Sequence, residues 1–242
     1  MNRVIAQLNK RKSVRVFEER DIEEDKVCAI LNAATMAPTA GNQQLYTVIR
    51  VTDDKLKVAL AESCDHQPFI ANAKLVLIFC ADCLKWYDAF TASGCEPRHP
   101  GVGDLLLAVS DAVIAAQNAV TAAESLGIGS CYIGDIMENC RLHREMLTLP
   151  EFVFPAAMLV FGYPTEGQLA RKKPMRCALE HIVHENGYRR MGADELRQML
   201  ARDRDASSYD EWIKAFCDRK YNCDFAREMT RSVAEYLKDF EA

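Results

Sequence analysis

A chain of 242 residues with a formal net charge of −5 argues against a general nucleic-acid binder, which would carry a basic surface. Hydrophobic residues make up 49% and charged residues 27%, a globular balance with material for a sizeable core. The ten cysteines are scattered through apolar stretches of a chain too large for a disulfide-stapled miniprotein, so reduced, cytoplasmic thiols are expected.

The segment from Met1 is polar and charged, without the apolar core of a signal peptide. Val4, Ile5 and Leu8 give a helix over 2–10 one apolar side. "RKSVRVF", residues 11–17, follows. In an extended segment alternate side chains share a face, so Arg11, Ser13 and Arg15 point one way and Lys12, Val14 and Val16 the other. Two guanidiniums flanking a hydroxyl can grip a phosphate, although solvated surface cations give the same pattern. Val27, Ile30, Leu31 and Ala34 stand at helical spacing, and Pro38 stops that helix near Ala37. "PTAGNQQ" reads as a loop, "YTVIRVT" as a strand, 53–63 as a helix capped by Asp53, and "KLVLIFCA" as a fully buried strand.

Residues 86–103, with Pro97, Pro100, Gly101 and Gly103, have the composition of an irregular, mobile loop or lid. A helix over about 104–126 is apolar nearly all round, which places it at the centre of the fold or in a subunit interface. Its Ser110, Asp111, Gln117, Asn118, Glu124 and Ser125 read as too polar for a membrane span. Gly127 is placed to cap it. A short strand in "GIGSCYIGDI", a short helix over 139–147 and a buried strand in "FPAAMLVFGYP" come next. A second basic loop, "ARKKPMR", and a helical, charged tail from Ala193 complete the chain. Alternating strands and helices with short connections favour a layered α/β or α+β domain.

The motifs are mostly negative. Cys80 and Cys83 form C-x-x-C and Cys140 and His143 form C-x-x-H, yet no second compact pair completes a zinc site, and His181 with His184 lacks a third ligand. No metal is expected. The glycine run fails both phosphate fingerprints: G-x-G-x-x-G needs glycine where Tyr132 stands, and the G-K-S/T ending meets Asp135 after Gly134. No G-x-S-x-G elbow or activated cysteine is present, and no paired carboxylates stand out, so the chemistry is expected to belong to a bound cofactor. Arg11–Arg15 and Arg171–Arg176 are consistent with one phosphate gripped from two sides.

Taken in order, "RKSVRVF", "AATMAPTAGNQQLYTVIRV", "HQPFIANAKLVLIFCAD", "SDAVIAAQNAVTAAESLGIGSCYIGDI", "LTLPEFVFPAAMLVFGYP" and "RKKPMRCALEHIVHENGY" resemble the FMN-dependent nitroreductase family from residue 3 to about 190. The resemblance implies an α+β fold: a three-layer α/β/α sandwich around a mainly antiparallel sheet, in an intertwined homodimer. Residues 1–192 would be the FMN-binding domain, with 193–242 a helical extension on the same domain or on the partner subunit. Arg11, Lys12, Ser13 and Arg15 match the family's first FMN contact segment. Pro38, Thr39, Ala40 and Asn42 match a loop that reaches the FMN of the partner subunit, and Ala40 lacks the hydroxyl often found there. Gln67 matches a polar contact of flavin-reductase-like members. Tyr132, Ile133, Gly134 and Asp135 match the segment lying against the flavin ring. Arg176 and then Lys173 match the second phosphate contact, with Arg171 the competing choice. No side chain is implied as a catalytic nucleophile; flavin N5 carries the chemistry.

The implied activity transfers hydride from NADH or NADPH to flavin and passes electrons to a nitroaromatic, quinone, flavin or related small acceptor. The His99–Gly103 segment and Phe90 are expected at the opening. A dehalogenating or flavin-consuming relative, and a non-catalytic flavin-binding or redox-sensing protein, are the alternatives. Neither a nucleic-acid nor a membrane partner is expected.

Overall fold

Apolar periodicity is realised as helices and strands in the order α1 (Arg3–Lys10), α2 (Glu24–Thr35), β1 (Tyr46–Val51), α3 (Asp54–Ser63), α4 (Pro68–Ala71), β2 (Leu75–Asp82), α5 (Leu84–Ala92), α6 (Val102–Ser125), β3 (Gly129–Ile133), α7 (Cys140–Leu147), β4 (Val153–Gly162), α8 (Glu166–Ala170), α9 (Ala193–Ala201), α10 (Ala206–Lys220) and α11 (Asp224–Leu237). The computed structural model describes residues 2–201 and 206–241. They fall into two compact units, one of residues 2–171 with 228–241 and one of residues 172–227.

The sheet of the first unit has the order β1-β2-β4-β3, with every neighbouring pair antiparallel. β2 and β4 are buried along their whole length. An antiparallel sheet commonly leaves one face to water; here helices cover both. Leu75, Leu77, Phe79 and Ala81 of β2 pack with residues of α2 and α6, while Val76, Ile78 and Cys80 pack with residues of α3 and α4. The result is the three-layer α/β/α arrangement.

Pro155, in the interior of β4, removes a ladder donor, and prolines inside sheets are confined to edges and bulges. The β2–β4 register accordingly slips at this point: Phe79 faces Ala157, whereas Cys80 faces Pro155. The extra residue switches the strand's alternation. Phe154 and Ala156 face the α2–α6 layer before the slip, and Leu159 and Phe161 face it afterwards.

Two expectations need correction. Residues 86–103 are not irregular throughout, because α5 occupies 84–92. Its start is held by the Asp82 carboxylate, which accepts from the amides of Leu84 and Lys85, both at 3.1 Å. The stretch "LKWYDAFTA" contains no glycine or proline to interrupt it; those residues lie further on and terminate order there. The long helix also starts earlier than position 104. Asp104 stands in its first turn, accepting from the Gly101 amide at 2.8 Å and paired with Arg98. Gly127, with φ of +76°, closes the far end as expected.

On α6, Leu105, Ala108, Ala112, Ala115, Ala116, Ala119, Val120 and Ala123 are buried, a helical period of mostly small residues that lets α2 and the sheet approach closely. By length and composition α6 is apolar enough to cross a membrane, despite the polar residues that argued otherwise. In the fold it is the core helix of the first unit.

The second unit contains α9 and α10. Arg197 pairs with Asp210 at 2.5 Å and lies 4.6 Å from the Tyr209 ring, which begins an aromatic row with Trp212 and Phe216.

Candidate functional site

The basic segment 11–17 is extended, as its alternation predicts, and lies along the sheet. Ser13 bridges Ser130 in parallel, the Val14 amide donates to the Ser130 carbonyl at 2.9 Å, and Phe17 bridges Pro164. Buried Val14 sits directly against Gly129, where an added Cβ would lie 2.6 Å from a Val14 methyl. Phe17 sits against Gly162, where a Cβ would lie 2.7 Å from its ring. Gly129 therefore serves close backbone approach rather than a phosphate fingerprint.

This anchoring turns Ser13 and Arg15 outward, both exposed, while the half-buried Arg11 lines a crevice between α1 and α6 with Gln7, Gln117 and Thr121. The two guanidiniums act on β3: both pull the Cys131 thiol down against the burial that raises it, and Arg11 does so for the Tyr132 phenol, which burial pushes up to about 12. Among the described residues no carboxylate pairs with Arg11 or Arg15. The Nε and Nη2 atoms of Arg11 are buried without a hydrogen-bond partner. A buried guanidinium left unpaired is costly, and a phosphate would relieve that cost by supplying charge and acceptors together. The residues present thus fit a phosphate-bearing cofactor.

Arg15 also lies 5.8 Å from the Phe69 ring, opposite the 67–69 turn. A groove of about 520 Å³ runs between Arg15–Phe17 and Pro68–Asn72. Gln67 belongs to this side, and its amide already donates to the Cys64 carbonyl at 2.8 Å. Of the 132–135 segment, Tyr132 is half-buried with its hydroxyl 3.4 Å from Gln117 of α6, Ile133 is buried, and Gly134 and Asp135 enter a turn after β3.

The loop 38–45 contacts other parts. Its anchor is Asp111 of α6, buried at 3% exposure, which accepts from the Thr39 hydroxyl, from the Ala40 amide at 3.2 Å and from the Leu45 amide at 3.2 Å. Thr39 Oγ1 in turn accepts from the Gln44 amide at 2.8 Å. Gly41 and Asn42 both have φ of +56°, so Pro38, Thr39, Ala40 and Asn42 lie on a tightly specified turn. Its contacts run to α6 and, through the Gln43 carbonyl, to the Trp86 indole, rather than to the basic segment of the same chain. Asp111 escaped the sequence reading as a site-building residue; an acid inside an otherwise apolar helix was the available signal.

Glu138, just beyond the 132–135 segment, was also missed. It is 5% exposed with Oε1 unpartnered. Burial, then the charges of Asp135, Asp65 and Glu228, push its carboxyl up to about 7. Nearby, burial pulls the His143 imidazole below its ordinary pKa, and its ring nitrogens lie 2.8 Å from the Ser63 hydroxyl and 2.9 Å from the Ile136 carbonyl.

Lys12 departs from the other cations. Its ammonium lies 2.6 Å from the Leu169 carbonyl oxygen and also donates to that of Arg171. In the loop after α8, Arg171 and Arg176 are exposed and Lys173 is half-buried; Arg176 donates to the Pro174 carbonyl at 3.0 Å.

Among the described residues no group of three His, Cys, Asp or Glu could hold a metal ion. Burial pushes the Cys80 and Cys83 thiols up to about 12, leaving both protonated and unsuited to ligation or redox exchange. A separate cavity of about 410 Å³ is walled by Trp86, Tyr87, Phe90, Pro100 and Leu107, with Gln43 of the 38–45 loop at its side.

A sequence profile described as the nitroreductase family matches residues 8–163. An FMN reductase [NAD(P)H] of Bacillus subtilis is 32% identical over 98% of this chain and 92% of its own. A solved structure from Bacteroides fragilis superposes with a TM-score of 0.87 at 27% identity, covering 98% of this chain and 100% of that one. The structure of Bacillus megaterium NfrA2 gives 0.85 at 27% identity, with both chains fully covered.

Proposed function

The chain belongs to the nitroreductase family, and on that premise we propose that it is an FMN-dependent oxidoreductase drawing electrons from NADH or NADPH and passing them to a small-molecule acceptor. The observation that carries this reading is the unpaired, partly buried guanidinium of Arg11, set beside Ser13 and Arg15 on a segment bonded to β3. It is a preorganised anion cradle in a chain whose net charge is negative.

Bound FMN supplies the redox chemistry: hydride acceptance from the nicotinamide and electron delivery to the acceptor. The protein's share is binding and orientation. Arg11 and Arg15 would hold the phosphate and would leave positive charge along the cradle. The 132–135 segment, with no bulky side chain at Gly134, would offer main chain to the cofactor. Asp111 holds Thr39 and Ala40, so the Gly41–Asn42 corner of that loop is presented in one conformation. The aromatic cavity beside it, with Phe90 and Pro100 in its wall, is the proposed acceptor entrance.

The protein is proposed to act as a cytoplasmic homodimer. Leu106, Leu107, Val113 and Ile114 on the outer side of α6, and Val4, Ile5 and Leu8 of α1, are exposed in the single chain, and apolar faces of this kind mark association. The 38–42 loop would then serve the partner's cofactor. Residues 1–192 are assigned to the FMN domain and 193–242 to an extension.

The deciding experiment is the visible spectrum of the purified protein before and after anaerobic addition of NADH or NADPH. Flavin bands that bleach support the reading. Bands persisting with both donors leave a flavin binder without the activity, and a colourless protein that takes up no FMN overturns the cofactor.

A further inference from the structure

We infer that Lys12 is a positioning residue that latches the second basic loop, rather than a ligand of the cofactor phosphate. By alternation it points away from Arg11, Ser13 and Arg15, and the structure gives that direction a target. Its ammonium donates to the carbonyls of Leu169, in the last turn of α8, at 2.6 Å, and of Arg171, the residue just after that helix. A lysine at a helix C-terminus satisfies carbonyls that the helix leaves without partners, and its charge suits the negative end of the peptide dipoles.

Neighbouring bonds serve the same junction. The Arg15 amide lies 3.2 Å from Oε1 of Gln168, which is buried at 7% exposure, and the Thr165 amide lies 3.4 Å from the Val16 carbonyl. The strand carrying the first basic cluster therefore also fixes where the chain leaves α8. From that point Arg171, Lys172, Lys173 and Arg176 follow within six residues. Lys12 thereby ties the first basic segment to Arg171, the residue from which the second one departs. This inference rests on the proposed FMN site for its functional consequence, while the latch itself is a property of the cofactor-free chain.

The test pairs limited trypsin digestion with FMN titration for the wild type, Lys12→Met and Lys12→Arg. Trypsin can cut after Arg171, Lys172 and Arg176, whereas Pro174 protects Lys173. In cofactor-free protein, Lys12→Met is expected to raise the rate of nicking after Arg171 and Lys172 at least fivefold and to weaken FMN binding about tenfold. Lys12→Arg, which keeps the charge and donors, is expected to restore most of both. Weakened FMN binding with unchanged nicking would make Lys12 a direct phosphate ligand and overturn the latch. Faster nicking with unchanged FMN affinity would overturn the coupling. A wild type that binds no FMN would sink the proposed function instead, and the nicking rates would still judge the latch.

Discussion

Residues 11–17 and residues 170–176 carry similar charge on opposite kinds of scaffold. The first segment is tied to β3 by main-chain bonds and fitted into slots that only Gly129 and Gly162 leave open. The second follows a five-residue helix, is mostly exposed, and is held where it begins by Lys12. The difference teaches where binding energy is retained. A cation on fixed backbone loses little freedom when it meets an anion, whereas a cation on an exposed loop must be ordered at that moment. The first segment should therefore dominate affinity, and the second should add to it.

The largest effect is expected from breaking the scaffold under the first segment. Gly129→Ala drives a methyl into Val14 and should cost about 1–3 kcal/mol, measured by urea unfolding. Adding Val14→Ala should recover part of that loss; no recovery would mean that this contact is not the constraint. Next, Arg11→Met should weaken FMN binding about 30-fold, near 2 kcal/mol for a lost charge-assisted contact. The cofactor-free variant should melt no lower than the wild type, since buried orphan donors have been removed. An equal loss of stability and affinity would make Arg11 structural.

Arg176→Met should weaken FMN binding only about threefold to fivefold, within the range of an exposed charge pair. A loss exceeding that of Arg11→Met would invert the comparison. A last prediction is read by pH, on a residue outside both basic segments. Glu138 lies beyond the 132–135 segment, and its carboxyl is raised from an ordinary 4.5 to about 7. The native state keeps this proton longer than the unfolded chain. The favourable contribution is therefore complete below about 4.5, fades between 4.5 and 7, and is absent above. Glu138→Gln should gain on the wild type in melting temperature by a few degrees from pH 5 to pH 8. A constant gap across that range would show that Glu138 does not titrate there.

Secondary structure was legible wherever one local rule governed. β2 announced itself as an unbroken apolar run, and α3 by its Asp53 cap. Pro38 and Gly127 marked the ends of α2 and α6. α5 was hidden because the prolines and glycines of 97–103 share a stretch with 86–92, and because the residue that accepts from its first amides, Asp82, is also the last of β2. Pro155 lay inside the strand expected from "FPAAMLVFGYP", and only the pairing with β2 shows the bulge that accommodates it. Arg11, Ser13 and Arg15 could be placed on one face by alternation alone. The roles of Asp111 and Glu138 could not be read, because they depend on residues far away in sequence.

The sequence by itself determined the alternating layers, the existence of the long apolar helix, the outward face of the first basic segment and the ordered motifs of the family. Those features depend on periodicity and on residue types acting within a few positions of one another. Tertiary structure decided that Arg11 has buried donors without a partner, which glycines are slots, and that Lys12 turns to the end of α8. Each of these is a contact between distant segments, whose sign depends on burial and on what else can reach the same atom.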